Sequence, residues 1–337
     1  MQTIHIIEKL ITTIQTSPSS IYQIPWEDLW LCFTTELDCH KELYPDTQLR
    51  SIKELFQTRF QQLKQYLLTS DTTAIIRLLE EFTFALQLLP DAEYTDQMLA
   101  KTHYQQARLN HYLEDTLVVI GDSHVNFFSG NENLTFSPIG KDMDVCPNIT
   151  TNPFTIIHLG PCLAYHCNKP NTTTHFQEKI NYLCENFLKP NAHILFSLGE
   201  IDLRVHVFQQ VTAQNRTYQE IIDTILSEYV TFLVSLQNKG YSVACWGPIA
   251  SQSENCPVNP AFPRVGTEVE RNQATAYFNQ QLSIYCQQHQ IPFLSIFEQM
   301  ITDDFHTKEE YLSADHCHLG QKAMTLAQPV WKALLSL

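Results

Sequence analysis

LVVIGDSHVNFF, residues 117–128, decides the fold. An apolar run stops at Gly121-Asp122-Ser123-His124 and resumes as Val125-Asn126-Phe127-Phe128. This pattern predicts a buried strand, a tight turn and a helix start, with Ser123 at the junction. α/β enzymes often place a nucleophile at such a junction. The plain alternative is a strand that ends in an ordinary polar turn, and the rest of the chain must choose between them.

Further apolar runs flank this one. FTIIHLGP (154–161), AHILFSLGEID (192–202), YSVACWGPI (241–249) and IPFLSIF (291–297) each read as a strand. Helical patterns over about 216–238, 267–288 and 320–335 alternate with the later ones, the first closed by Gly240. Apolar strands alternating with helices predict an α/β three-layer sandwich on a mainly parallel five-stranded sheet, covered on both faces. Ligands of such sheets bind at the C-terminal strand ends. Those ends read GDSH, HLGP, GEID and WGPI, and residues 250–266 form a loop over the same edge. Before residue 114 the texture differs. Ile4, Ile7, Leu10, Ile11 and Ile14 follow a helical period, and SDTTAIIRLLEEFTFALQLLP starts at Ser70-Asp71 and stops at Pro90. No glycine occurs before Gly121. The division expected is an all-helical region over 1–113 and an α/β domain over 114–337.

The formal net charge of −15 argues against a nucleic-acid partner, which needs a Lys/Arg face. No apolar run reaches the roughly 18 residues of a spanning helix. The first twenty residues carry Glu8 and Lys9 among their apolar positions and read as an amphipathic helix rather than a signal peptide, so a cytoplasmic location is expected. The ten cysteines are then expected as reduced thiols.

A serine hydroxyl attacks only once a base takes its proton, and the base is usually a histidine oriented by a carboxylate. YLSADHCHLG (311–320) offers both. Asp315 and His318 are three apart before the last helix, a spacing that lets both side chains reach one point. Asp315 would hold the His318 imidazole while its other nitrogen faces Ser123. His316 is the competing base. Asp122 reads as a turn-forming carboxylate. His124 reads as a residue at the mouth of the site, and Trp246 and Phe127 as core or pocket wall. The groups His316/Cys317/His318 and Cys162/His166/Cys167 lack the paired spacing of a zinc site, so neither metal nor cofactor is expected.

These residues together resemble the SGNH (GDSL-type) hydrolase superfamily. Its first block matches Gly121-Asp122-Ser123, and its Asp-x-x-His block matches Asp315 and His318. The resemblance spans about 114–337 and implies the nucleophile, acid and base named above. It also implies that Gly160 donates a backbone N–H to the oxyanion. One block departs. Where the family has Gly-x-Asn-Asp, this chain has Gly199-Glu200-Ile201-Asp202, and Ile201 cannot donate as the asparagine would. The continuation resembles a branch with a GEID-x-R pattern, accompanied by Glu270-Arg271-Asn272. Arg204, His206 or Asn272 would have to supply the missing donor. Arg204 reads equally as an ion pair shaping its loop or as a ligand for a substrate carboxylate or phosphate.

The resemblance implies an ester hydrolase acting through an acyl-enzyme on a small-molecule or glycan ester, with small O-acyl groups expected. Two alternatives stand beside it. An acyltransferase could use the same three residues, and a non-catalytic binding protein is permitted by the missing asparagine.

Overall fold

A computed structural model describes residues 2–39, 46–87, 96–113, 116–134, 136–258, 260 and 262–334. The chain divides into two compact units, Met1–Thr116 with Ser137–Ile139, and Leu117–Phe136 with Gly140–Leu337.

The first unit is built from α1 (Gln2–Thr16), α2 (Trp26–Asp38), α3 (Asp46–Thr69), α4 (Thr72–Gln87) and α5 (Asp96–Leu113). Ile7, Leu10 and Ile14 form the buried stripe of α1, while Ile4 and Ile11 are partly covered. Asp71 caps α4 by accepting from the Ala74 N–H at 3.0 Å. The expected stop at Pro90 lies outside the described residues. Phe33 gathers the core, with its ring centroid 4.7 Å from Phe56 and 4.8 Å from Phe82. No helix among the described residues is long and apolar enough to cross a membrane.

The second unit holds most of the sheet. The strands are β1 (Leu117–Gly121), β2 (Ser137–Gly140), whose residues Ser137–Ile139 cluster with the first unit, β3 (Met143–Cys146), β4 (Phe154–His158), β5 (His193–Ser197), β6 (Ser242–Trp246) and β7 (Phe293–Leu294), in the order β2-β3-β4-β1-β5-β6-β7. The five strands expected from sequence all form, and β4, β1, β5, β6 and β7 run parallel. The count of five is corrected to seven and the sheet is mixed, because β3 pairs antiparallel with β4. β1 lies fully buried between β4 and β5, which explains its unbroken apolar run.

Alternate residues of these strands face opposite layers. On one side Phe196 of β5 meets Phe232 at 5.2 Å, and Phe232 meets Phe176 at 5.0 Å. Phe176 opens α6 (Phe176–Asn186), and Phe232 belongs to α8 (Tyr218–Asn238), which follows the short α7 (Phe208–Gln214). On the other side Trp246 meets Phe128 at 5.3 Å, and Phe154 meets Trp331 at 4.8 Å. Trp331 lies on α11 (Met324–Leu334), which follows α9 (Glu268–Gln288) and α10 (Phe297–Met300). Phe127 and Trp246 are 2% exposed and belong to the core. Capping boxes at Thr217/Glu220 and Thr267/Glu270 fix the starts of α8 and α9. Cys146, Cys162, Cys167, Cys245 and Cys286 are free thiols buried in this unit.

Candidate active site

The end of β1 is sterically committed. A Cβ at Gly121 would lie 2.0 Å from the Ser197 carbonyl oxygen of β5, so only glycine fits. Asp122 then turns the chain, its Oδ1 accepting from the His124 N–H at 3.0 Å. A helical run of 3₁₀ type, Ser123–Ser129, follows. Asp122 is buried, which pushes its carboxyl pKa up against the attraction of His124.

Across the sheet edge, Leu312 and Leu319 bridge antiparallel and close a hairpin. The Ser313 N–H donates to the His318 carbonyl at 2.8 Å, and His316 turns the tip with φ 56°. Asp315 and His318 sit on this hairpin. His318 Nδ1 is 2.5 Å from Asp315 Oδ2, and His318 Nε2 is 2.7 Å from Ser123 Oγ. Asp315 Oδ1 also accepts from the Ser313 hydroxyl at 2.6 Å and from the backbone N–H groups of Cys317 and His318 at 2.9 Å. Burial raises the Asp315 pKa, but the bonds from His318 and Ser313 override it and hold the carboxyl well below the usual range. A carboxylate at Nδ1 keeps the proton there and leaves Nε2 to accept from the serine. The competing base, His316, is not part of this relay.

Behind His318 stands a buried charge cluster. The Glu200 carboxylate accepts from Arg204 Nε at 2.6 Å and Nη2 at 3.0 Å, and lies 3.2 Å from His124 Nε2. Burial raises the Glu200 pKa, but Arg204 and His124 bring it well below the ordinary value. Burial alone would depress His124, yet Asp122, Cys317 and Glu200 together hold it well above its usual value. A void of about 10 Å³ lies against Asp122, His124 and Glu200, which is room for one water.

The residues expected to replace the absent asparagine fare differently. Arg204 spends Nε and Nη2 on Glu200 and Nη1 on the Phe262 carbonyl at 2.9 Å, so it shapes the loop and presents no open fork. Asn272 is fully buried. Its Oδ1 accepts from the Ser251 N–H at 2.8 Å, and its Nδ2 donates to the Phe305 carbonyl at 2.8 Å and to Thr307 Oγ1 at 3.0 Å. Neighbouring Arg271 binds Ser251 Oγ and the Gln252 carbonyl at 2.7 Å, so this motif sews down the loop that follows β6. Both side chains are consumed in holding loops, which for Arg204 is the ion-pair reading of the sequence. His206 is half-buried on the π-helical run Asp202–Val207, and burial lowers its pKa. Ile201 packs with Leu163, Val205 and Phe262 in an apolar group on the loops at these strand ends.

Gly160 follows β4 with φ +76°. Among the described residues, the backbone N–H groups of Ser123 and Gly160 donate to no acceptor. Asp202 ties the loop after β4 to the loop after β5, accepting from the Ala164 N–H at 2.8 Å and the Tyr165 N–H at 3.2 Å. Burial pushes its carboxyl up to about 7 against those bonds.

Sequence reading passed over Ser313, which braces Asp315. It also passed over Lys179, a buried lysine whose Nζ donates to the Leu159 carbonyl at 2.6 Å. The available signal was a lysine in the apolar stripe of Phe176, Ile180 and Leu183.

The solved structures similar to this chain include GDSL-like lipases and esterases. One is a GDSL-like lipase from Bacteroides thetaiotaomicron, at 12% identity over 66% of this chain and 88% of that one, with a TM-score of 0.42. The OSK domain of Drosophila Oskar matches at 9% identity over 66% and 88%, with a TM-score of 0.40. The esterase EstA from Pseudoalteromonas matches at 11% identity over 66% and 100%, with a TM-score of 0.37. No protein-family model matches the chain, and no curated protein matches it. What the chain does rests on its own residues.

Proposed function

We propose that residues 114–337 form a serine ester hydrolase domain of the SGNH type. The observation that carries this reading is the 2.7 Å contact between Ser123 Oγ and His318 Nε2, with His318 anchored by Asp315. His318 takes the hydroxyl proton as Ser123 Oγ attacks an ester carbonyl carbon. The tetrahedral oxyanion is held by the N–H groups of Ser123 and Gly160. His318 then protonates the departing alcohol, and the acyl-enzyme remains. Water repeats the sequence in the second half, giving up its proton to His318 and releasing the acid.

With Arg204 and Asn272 occupied, this oxyanion site works with backbone donors. One lost side-chain donor typically costs about 10²–10³ in rate, which predicts a slow enzyme. The apolar group of Leu163, Ile201, Val205 and Phe262 suits a short acyl chain, and the substrate class proposed is a small O-acyl or carbohydrate ester.

The test is covalent labelling with a fluorophosphonate probe, read by mass spectrometry, on wild type and Ser123→Ala. Adduct on Ser123 alone, absent in the variant, is expected. No adduct on folded wild type would overturn the reading in favour of a binding protein.

A further inference from the structure

The buried face of α6 consists of Phe176, Lys179, Ile180 and Leu183. Lys179 is 4% exposed. Among the described residues, the Leu159 carbonyl at 2.6 Å is the one acceptor its ammonium group meets. Burying an ammonium for a single neutral acceptor is expensive, and such a group calls for an explanation.

The Leu159 carbonyl and the Gly160 N–H belong to one peptide. Amide resonance couples the two ends, so a cation pulling on the oxygen makes the N–H a stronger donor. The peptide before it is held to the sheet. The Leu159 N–H donates to the Gly121 carbonyl at 2.8 Å, which ties Leu159 to the end of β1 two residues before Ser123. A Cβ at Gly160 would stand 3.6 Å from Lys179 Nζ, so the charge lies close to this peptide.

We propose that Lys179 is a positioning residue that polarises the Leu159–Gly160 peptide, strengthening the Gly160 N–H as a donor to the oxyanion formed at Ser123. The proposal rests on the ester-hydrolase reading above. Its effect falls on the charged tetrahedral species and not on the neutral ester, so it belongs in kcat rather than in KM. A lysine that merely tied α6 to β4 would affect stability and leave this split untouched. In a site without the asparagine amide, donor strength at the remaining N–H groups carries more of the rate.

The experiment compares Lys179→Met with wild type in fluorophosphonate labelling, separating probe affinity from the rate of phosphonylation. Thermal melting is read in parallel. The expected result is phosphonylation slowed on the order of tenfold, below the full cost of a lost donor, at unchanged probe affinity. Selective [¹⁵N]glycine labelling gives amide signals from at most the nine glycines. The Gly160 proton is expected to move upfield while the others hold. Lys179→Gln, which keeps a polar head without charge, is read the same way if the methionine variant does not fold. Wild type that labels at Ser123, with variants labelling equally fast or an unmoved Gly160 signal, overturns the role of Lys179 alone. Wild type that does not label overturns the hydrolase reading, and this role falls with it.

Discussion

The His124 and His318 rings lie 4.6 Å apart between centroids, their planes at 39°. The residue after Ser123 therefore backs the candidate base. Glu200 and Arg204 continue the stack inward from His124, and Asp122 adds a further buried carboxyl. The position of His318 thus depends on a buried charge cluster.

Glu200→Gln should expose that dependence. It leaves Arg204 and His124 buried with their main counter-charge removed. Breaking a buried pair on one side typically costs about 3–5 kcal/mol, and a loss of that order is expected in chemical denaturation. Because the Glu200 pKa is depressed in the fold, its stabilisation is present above the unfolded value and is lost as the solution is acidified. The variant should therefore show a shallower loss of stability on acidification than wild type.

Asp202 has the opposite sign. Its folded pKa of about 7 stands above the ordinary carboxyl value. Its favourable contribution is complete below the unfolded pKa, declines as pH rises, and is exhausted once pH passes the folded value. Asp202→Asn should flatten that decline, so the melting temperatures of variant and wild type should converge or cross between about pH 4 and pH 7. Parallel melting curves across this window would refute the assignment.

Asp315→Asn leaves the hairpin a similar shape but removes the charge that fixes the Nδ1 proton. In the Ser-His-Asp arrangement this change lowers kcat by about 10⁴-fold. A drop of that order, with KM little altered, is expected for whichever ester proves to be turned over. Activity within tenfold of wild type would place the base elsewhere.

Gly121→Ala tests the packing beneath Ser123. The new methyl would press on the Ser197 carbonyl, and the β1–β5 pairing would have to open. A loss greater than about 3 kcal/mol is expected, placing it in the tail of severe substitutions. Labelling of Ser123 should disappear with it.

What the sequence revealed follows from how locally each feature is encoded. β1 and its turn were legible because a buried parallel strand is written as one apolar run and the turn as Gly-Asp-Ser. Asp315 and His318 were legible because a hairpin brings them together across three residues. β2 and β3 escaped notice because each spans four residues and their turn is disguised. Lys141 and Asp142 both adopt positive φ, 53° and 54°, where Asn-Gly is the usual marker. α6 escaped notice because a lysine interrupts its apolar stripe. The locks on Arg204 and Asn272 join segments far apart in the chain, such as Arg204 with Phe262 and Asn272 with Phe305, and spacing does not report those.

The hairpin closed by Leu312 and Leu319 carries both acid and base on a single rigid turn, braced by Ser313 and the backbone. Assembling the relay is therefore one docking problem rather than two. The Asp315–His318 pair survives any small shift of the hairpin intact, and only the reach to Ser123 changes. Evolution or a designer could tune the reach to Ser123, or break it, by sliding one prefabricated part.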